Sequence, residues 1–385
     1  MASLNPITGV LGQQKAAHLL RRATFGPNIN AINQYAAMDI DDAIENLFIS
    51  DPEPNLPLDP LTGTDWIHPN TTHPDVFIST YSDKTCAWWI DTIVNSGMNL
   101  SERMTWFCYT HFPMILSRIE NVPQFPVDYL RLLRFYALGN YKELTKALCI
   151  NNGMLIHLDG HLNVKGVPQE NFAREFLELF TVGKGADQGA GNYTTFTEDD
   201  MRMATKVFTG WNYDYTFSTI DPITGIPTGK VKATGTTATQ HDVSSKQFSS
   251  AFNNTLIVTT NVSGGNTTVQ AVYDELDEFI DMIFNSEHTA RNICRRLYRT
   301  FVYYNITEEI ENDIIAPLAS VLMSNNYEIK PVLEVLLKSE HFYDLDTPPT
   351  SDDNIGAIIK SPMDMVAGTI RLFELTTPTQ EEDYN

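Results

Sequence analysis

Apolar residues recur at helical spacing along most of this chain, and the breaks in that spacing divide it into elements. From Gln13 to Thr24, the residues Ala16, Ala17, Leu19, Leu20 and Ala23 share one face before Gly26-Pro27, which predicts a short amphipathic helix. A second is expected from about Ile40 to Phe48. Pro52, Pro54, Pro57, Pro60, Pro69 and Pro74 then deny Asp51–Pro74 a regular set of backbone donors, so this stretch reads as a long loop draped over the surface. Helical spacing resumes from about Val76 to Val94 and over Leu100–Ser117, where Asn99 is placed to cap with Glu102 at the third position. Further helices are expected at Phe125–Leu138, Tyr141–Cys149 and Gln169–Val182, the last with Pro168 at its first turn. Thr197, capping toward Asp200, opens another that runs to about Thr209.

The pattern then changes. Residues 212–265 are rich in Thr, Gly, Ser and Asn, with short β-branched runs at Lys230–Ala233 and Leu256–Thr260, which predicts irregular strands. Helical periodicity returns at Thr268–Asn285, Thr289–Tyr303, Glu308–Ser324, Ile329–Ser339 and Pro362–Leu375. The expected fold is a mainly α, multi-helix globular protein with a small β-rich insertion. Its expected parts are an N-terminal helical part, 1–210, the insertion, 211–265, and a C-terminal helical part, 266–385, that packs on the first.

Composition narrows the function classes. Apolar types make up 42% of 385 residues, enough to bury a substantial core. Asp and Glu number 48 against 26 Lys and Arg, and the resulting charge of −22 repels phosphate backbones and anionic lipid. Nucleic acid is therefore not an expected partner. No run approaches the roughly 18 apolar residues that a transmembrane helix needs, and Met1–Val10 lacks the charged and apolar regions of a signal peptide. Cys86, Cys108, Cys149 and Cys294 form no C-x-x-C pair and read as small buried hydrophobes. Phosphate-loop, dinucleotide, zinc-helix and nucleophile-elbow motifs are missing.

The segment with most candidate chemistry runs from Leu158-Asp159-Gly160-His161-Leu162-Asn163 into the helix Asn171–Val182. At about 100° per residue, Asn171, Arg174, Glu175 and Glu178 form one polar stripe opposite Phe172, Phe176, Leu179 and Phe180. The stripe is either a solvated face with an Arg174/Glu178 pair, or a functional ridge. In the second case Glu175 and Glu178 act beside Asp159, His161 or Asn163, as an acid/base pair or as oxygen ligands for Ca²⁺ or Mg²⁺. His241-Asp242, in the insertion, is a further candidate for metal binding or proton transfer. His111, on an aromatic helix, reads as a satisfied core histidine. Arg21 and Arg22 suit the C-terminal end of the first helix and are also candidates to pair with the acidic helix. Trp211 after Thr209-Gly210 marks a helix stop with an aromatic anchor.

Several ordered blocks give a resemblance. They are His18–Gly26, Thr105-Trp106-Phe107 through His111-Phe112, Asn171–Gly183 and Thr197–Asp200, then Phe208–Trp211, His241-Asp242 with Lys246, Arg296-Leu297-Tyr298 and Ser339–Phe342. Together they resemble the bacterial domain-of-unknown-function family numbered eighteen hundred, over almost the whole chain. The resemblance implies a mainly helical and often exported protein, frequently encoded beside an alkaline-phosphatase-like protein that would be its partner. It also implies a Gly/Trp-rich closing segment that the printed chain does not carry, so a fragment or a shortened member is expected. The favoured function is thus an exported binding or assembly component. The alternative is a metal-assisted or carboxylate hydrolase with Glu175, Glu178 and His241 as catalytic groups and Asp159, Glu175, His241 and Asp242 as metal ligands.

Overall fold

Side-chain caps fix where many of the helices begin. Asn28, Asp39, Asn151, Thr197, Thr268, Thr307 and Ser361 each accept a backbone N–H from the first turn that follows. The computed structural model describes residues 2–58, 63, 65, 67, 79–119, 122–345 and 358–376. Its helices are α1 Gly12–Ala23, α2 Ile29–Ala36, α3 Ile40–Leu47, α4 Ser79–Asn95, α5 Ser101–His111, α6 Gln124–Tyr136, α7 Tyr141–Cys149 and α8 Asn152–His157. They continue with α9 Asn171–Glu175, α10 Glu198–Val207, α11 Val269–Phe284, α12 Glu287–Phe301, α13 Glu308–Ile310, α14 Ala316–Ser324, α15 Ile329–Lys338 and α16 Pro362–Leu372. Strands are only two or three residues long: β1 Asp187–Gly189 pairs with β2 Asn192–Tyr193, and β3 Trp211–Asn212 with β4 Lys230–Val231. β6 Thr237–Ala238 lies between β5 Ala233–Thr234 and β9 Thr267–Thr268, while β7 Lys246–Gln247 pairs with β8 Leu256–Ile257. All pairings are antiparallel. The fold is mainly α with small β parts.

The chain forms two compact units. The first comprises Met1–Thr110, Leu133–Asn140 and Cys294–Asn385, and the second His111–Leu132 and Tyr141–Ile293. In the first, α1 packs on α2, α3 on α15 and α4 on α16. Residues 51–58 form no helix or regular strand; Trp88 Nε1 donates to Asn55 O at 2.8 Å and holds them to α4. Much of the remaining proline-rich stretch lies outside the described residues, as do residues 76–78 of the helix expected from Val76. In the second unit, α10 packs on α9 and α11, and α11 on α7. Phe172, Phe176, Phe208, Phe248 and Phe279 meet edge to face or tilted at 4.9–5.7 Å between ring centres. Burying such a side chain contributes roughly 1.5–3 kcal/mol.

Several elements differ from the sequence pattern, each for a local reason. α2 and α8 are short helices opened by Asn28 and Asn151, too brief for their periodicity to stand out. α5 stops at His111 because Pro113 cannot continue it, and Asn99 caps by accepting from Ser101 N while Glu102 turns to Trp89 and Arg134. The expected helix Gln169–Val182 is α9 followed by a π turn at Phe176–Phe180. Leu177 is buried and Leu179 faces out, so Leu179 does not join the apolar face expected of it. Cys108, Cys149 and Cys294 are buried, but Cys86 is exposed.

Candidate functional site

In the second unit α10 ends at a tight junction. Gly210 has φ +85°, and a Cβ there would lie 3.0 Å from His241 N and 3.1 Å from Gln240 C, so glycine is required by both backbone angle and space. Asn163 O accepts from Gly210 N, and Asn163 Nδ2 donates to Thr205 O. This junction seats His241, whose Nδ1 lies 2.9 Å from Thr209 O, while Asp242 N donates to Thr209 Oγ1.

His241 then meets two charges inside the protein. Its Nε2 is 3.2 Å from Glu275 Oε1, and Lys246 Nζ is 2.6 Å from the same oxygen. Lys246 also donates to Asp242 O at 2.6 Å and Thr259 Oγ1 at 3.0 Å, and Thr259 Oγ1 donates to Glu275 Oε2 at 2.5 Å. His241 and Lys246 are 0% exposed and Glu275 is 3% exposed. Burial alone would push the Glu275 carboxyl up, but the hydrogen bond and charge of His241, with Lys246, outweigh it and hold it below the usual range. Burial pulls the Lys246 ammonium down, with Glu275 partly restoring it. The trio ties β7 and its loop to α11. A catalytic group has to reach substrate within a hydrogen bond or one water, and these three are enclosed.

The candidate ridge has different neighbours. Glu178 Oε2 is 2.6 Å from Lys184 Nζ, and Arg174 lies 3.4–3.6 Å from Glu170, Glu178 and Glu198. Glu175 is half-buried; burial and then the charge of Glu178 raise its pKa, while Lys184 and Arg174 oppose the rise. Asp242 accepts from Ser244 N and Oγ, and Asp159 occupies a left-handed position (φ 60°) just after α8. Glu175 and Glu178 are thus together in one cluster, whereas His241 belongs to another. Among the described residues, no three His, Cys, Asp or Glu side chains are grouped so as to hold a metal ion. His161 Nδ1 lies 3.0 Å from Leu155 O. His111 is buried, its Nε2 3.0 Å from Phe180 O and its ring against Phe112 and Tyr141. Trp211 is buried edge-on against Tyr273.

Beside α10 the same unit opens a groove of about 830 Å³, lined among others by Gln188, Asn192, Asp199, Gln247, Ser249 and Asn254. Its floor is rigid. Asp200 completes a capping box with Thr197 and accepts from Ser249 N and Oγ, both at 2.7 Å.

The model of the family described as Protein of unknown function (DUF1800) matches residues 18–383. The chain belongs to that family. No curated protein and no solved structure matches it. The DUF1800 match spans the α10 junction, the buried trio and the ridge alike. Sequence reasoning missed Glu275, the residue that completes the trio. Its signal was available: a carboxylate among Ala271, Val272, Leu276 and Phe279 on the apolar face of α11 requires a buried partner.

Proposed function

We propose that this protein works by binding, holding an extended polar segment of a partner protein in the groove beside α10. The groove's lining carries the reading. Gln188 and Asn254 supply side-chain amides, with the Gln247 oxygen and the Asn192 nitrogen beside them, since Gln247 Nε2 donates to Phe248 O and Asn254 O and Asn192 Oδ1 accepts from Glu198 N; such groups match the peptide units of an extended segment. The charge of −22 favours a protein partner over a nucleic acid. The partner that the family resemblance implies, an alkaline-phosphatase-like protein outside the cytoplasm, belongs to this reading.

Co-expression of the two proteins followed by size-exclusion chromatography tests it. Co-elution is expected, and replacing Gln188 and Asp199, neither of which braces the groove floor, by alanine should weaken binding about tenfold or more, some 1.4 kcal/mol. Separate elution at about 10 µM of each protein would count against assembly. A second reading, carboxylate hydrolysis, is favoured by Glu175 beside Glu178: burial and that neighbouring charge raise the Glu175 pKa, which suits a general acid. Turnover of an ester, phosphoester or glycoside probe that is lost in Glu175→Gln would establish it. Its metal-assisted form requires stoichiometric Ca²⁺ or Mg²⁺ in the purified protein.

A further inference from the structure

In the second unit, the loop that follows β3 carries an aromatic residue at every other position: Tyr213, Tyr215 and Phe217. Asp214 fixes the loop from within. Its side chain is fully buried; Oδ1 accepts from Thr216 N and Oγ1 and from Lys230 Nζ, and Oδ2 accepts from the N and Oγ atoms of Ser218 and Thr219. Burial would raise its pKa, but these hydrogen bonds outweigh it and hold the carboxyl well below the usual range, so the loop keeps its anchor at any ordinary pH. The three rings gather on the buried Phe125, with ring centres 5.7–6.4 Å from it, and Tyr215 lies nearly parallel to it at 16°. Phe217 is held at φ 51°, a left-handed conformation that bulky residues rarely adopt. Tyr213 and Tyr215 meet edge to face at 4.3 Å, and Tyr215 OH donates to Tyr213 OH at 2.7 Å. Tyr215 is 58% exposed. The loop therefore presents a fixed aromatic pair at the surface, tipped by two linked phenol groups.

We propose that Tyr213 and Tyr215 form a subsite for a neutral sugar ring, one unit of an oligosaccharide. A pyranose has an apolar C–H face, which packs on an aromatic face, and hydroxyls around its rim, which need donors and acceptors. The phenol pair supplies one of each. The Tyr215 proton is spent on Tyr213, so Tyr213 offers its own proton and Tyr215 offers its lone pairs, side by side. A donor beside an acceptor at this separation is the complement of two neighbouring hydroxyls on a sugar ring. The hydrogen bond from Tyr215, then burial, raises the Tyr213 pKa to about 12, so the phenol stays protonated and able to donate. The nearest cations are engaged elsewhere: Lys230 with Asp214, and Lys232 Nζ with His161 O at 2.5 Å, the His161 ring lying 5.1 Å from Tyr213. A chain of charge −22 with such a site suits a neutral glycan over an anionic one. The subsite shares no residue with the lining of the groove beside α10, so it stands or falls independently of that groove.

The test is isothermal titration calorimetry of the full chain with maltohexaose, cellohexaose, xylohexaose and chitohexaose, and with a decaproline peptide as the competing class of ligand. At least one hexasaccharide should bind with a dissociation constant below about 1 mM, and Tyr215→Ala should weaken that binding about tenfold or more while the melting temperature shows the chain still folded. Tyr213→Phe and Tyr215→Phe keep the rings and remove one hydroxyl each; both should bind about threefold to tenfold more weakly, a loss that a purely apolar patch would not show. The proposal is overturned if none of the four sugars binds at about 10 mM, if Tyr215→Ala binds as the parent does, or if both Phe variants do. Tighter binding of decaproline than of every sugar would overturn it in favour of a proline-rich peptide.

Discussion

Two clusters in this molecule take cations out of water, one around Glu275 in the second unit and one around Arg22 in the first. The first of these carries its counter-charge. Lys246 Nζ reaches Glu275, Asp242 O and Thr259, so every ammonium donor has an acceptor, and His241 sits against the same carboxylate. Around Arg22, Phe301 O and Val302 O accept from Nη1 and orient the guanidinium, and Arg103 beside it donates to Asp364. Compensated burial closes on itself and serves the fold. The Arg22 cluster instead divides its cations between backbone carbonyls and Asp364, beside an open cavity that His18, Arg21 and Lys360 also line.

The largest effect should come from opening the balanced cluster. Glu275→Ala leaves Lys246 buried without its carboxylate, and a loss of about 3–5 kcal/mol is expected in chemical denaturation. Lys246→Met added to Glu275→Ala should recover a substantial part of it, because the stranded charge is then gone. If the two losses simply add, the cluster is not a coupled unit and the contrast with the Arg22 cavity fails.

This contrast was only half legible in the sequence. The Thr197/Asp200 capping box could be read directly, since both partners lie within one turn. His241 was legible as a candidate, but its role depends on Glu275, 34 positions later, and no local spacing joins them. Arg21 and Arg22 stood out at the end of α1, whereas Arg103, brought beside them by tertiary packing, did not. The ridge shows another limit: the π turn at Phe176–Phe180, which the apolar spacing of Asn171–Val182 did not signal, interrupts the helix expected there. Glu175 and Glu178 are close enough for the charge of one to raise the pKa of the other.

A middle-sized effect is expected from pH. Unfolded, His18 takes up its proton near pH 6.5; folded, it does so near 4. Between those values the unfolded chain binds more protons, so stability should fall as pH drops through this window, by about 2 kcal/mol after allowing for partial exposure of the ring. Denaturation midpoints from pH 7 to 4 check this, with His18→Gln expected to flatten the slope. Glu275 adds a separate loss at lower pH: its folded pKa is depressed, so its contribution is full above the unfolded value of 4.5 and disappears as pH falls below it. A slope unchanged in His18→Gln would mean that the ring does not sense the cationic cavity.

The smallest effect is the sharpest discriminator, because its sign is opposite in the two clusters. Removing a charge from the Glu275 cluster strands a partner, whereas removing one from the cavity relieves repulsion. At low ionic strength, Arg21→Gln/Lys360→Gln should leave stability unchanged or raise it by about 0.5 kcal/mol. Added salt should erase the gain, since both side chains are exposed and their repulsion is screened over about 10 Å at 0.1 M. A variant less stable than the parent in every buffer would show that Arg21 and Lys360 serve the fold, as Lys246 does, and would remove the distinction between the two clusters.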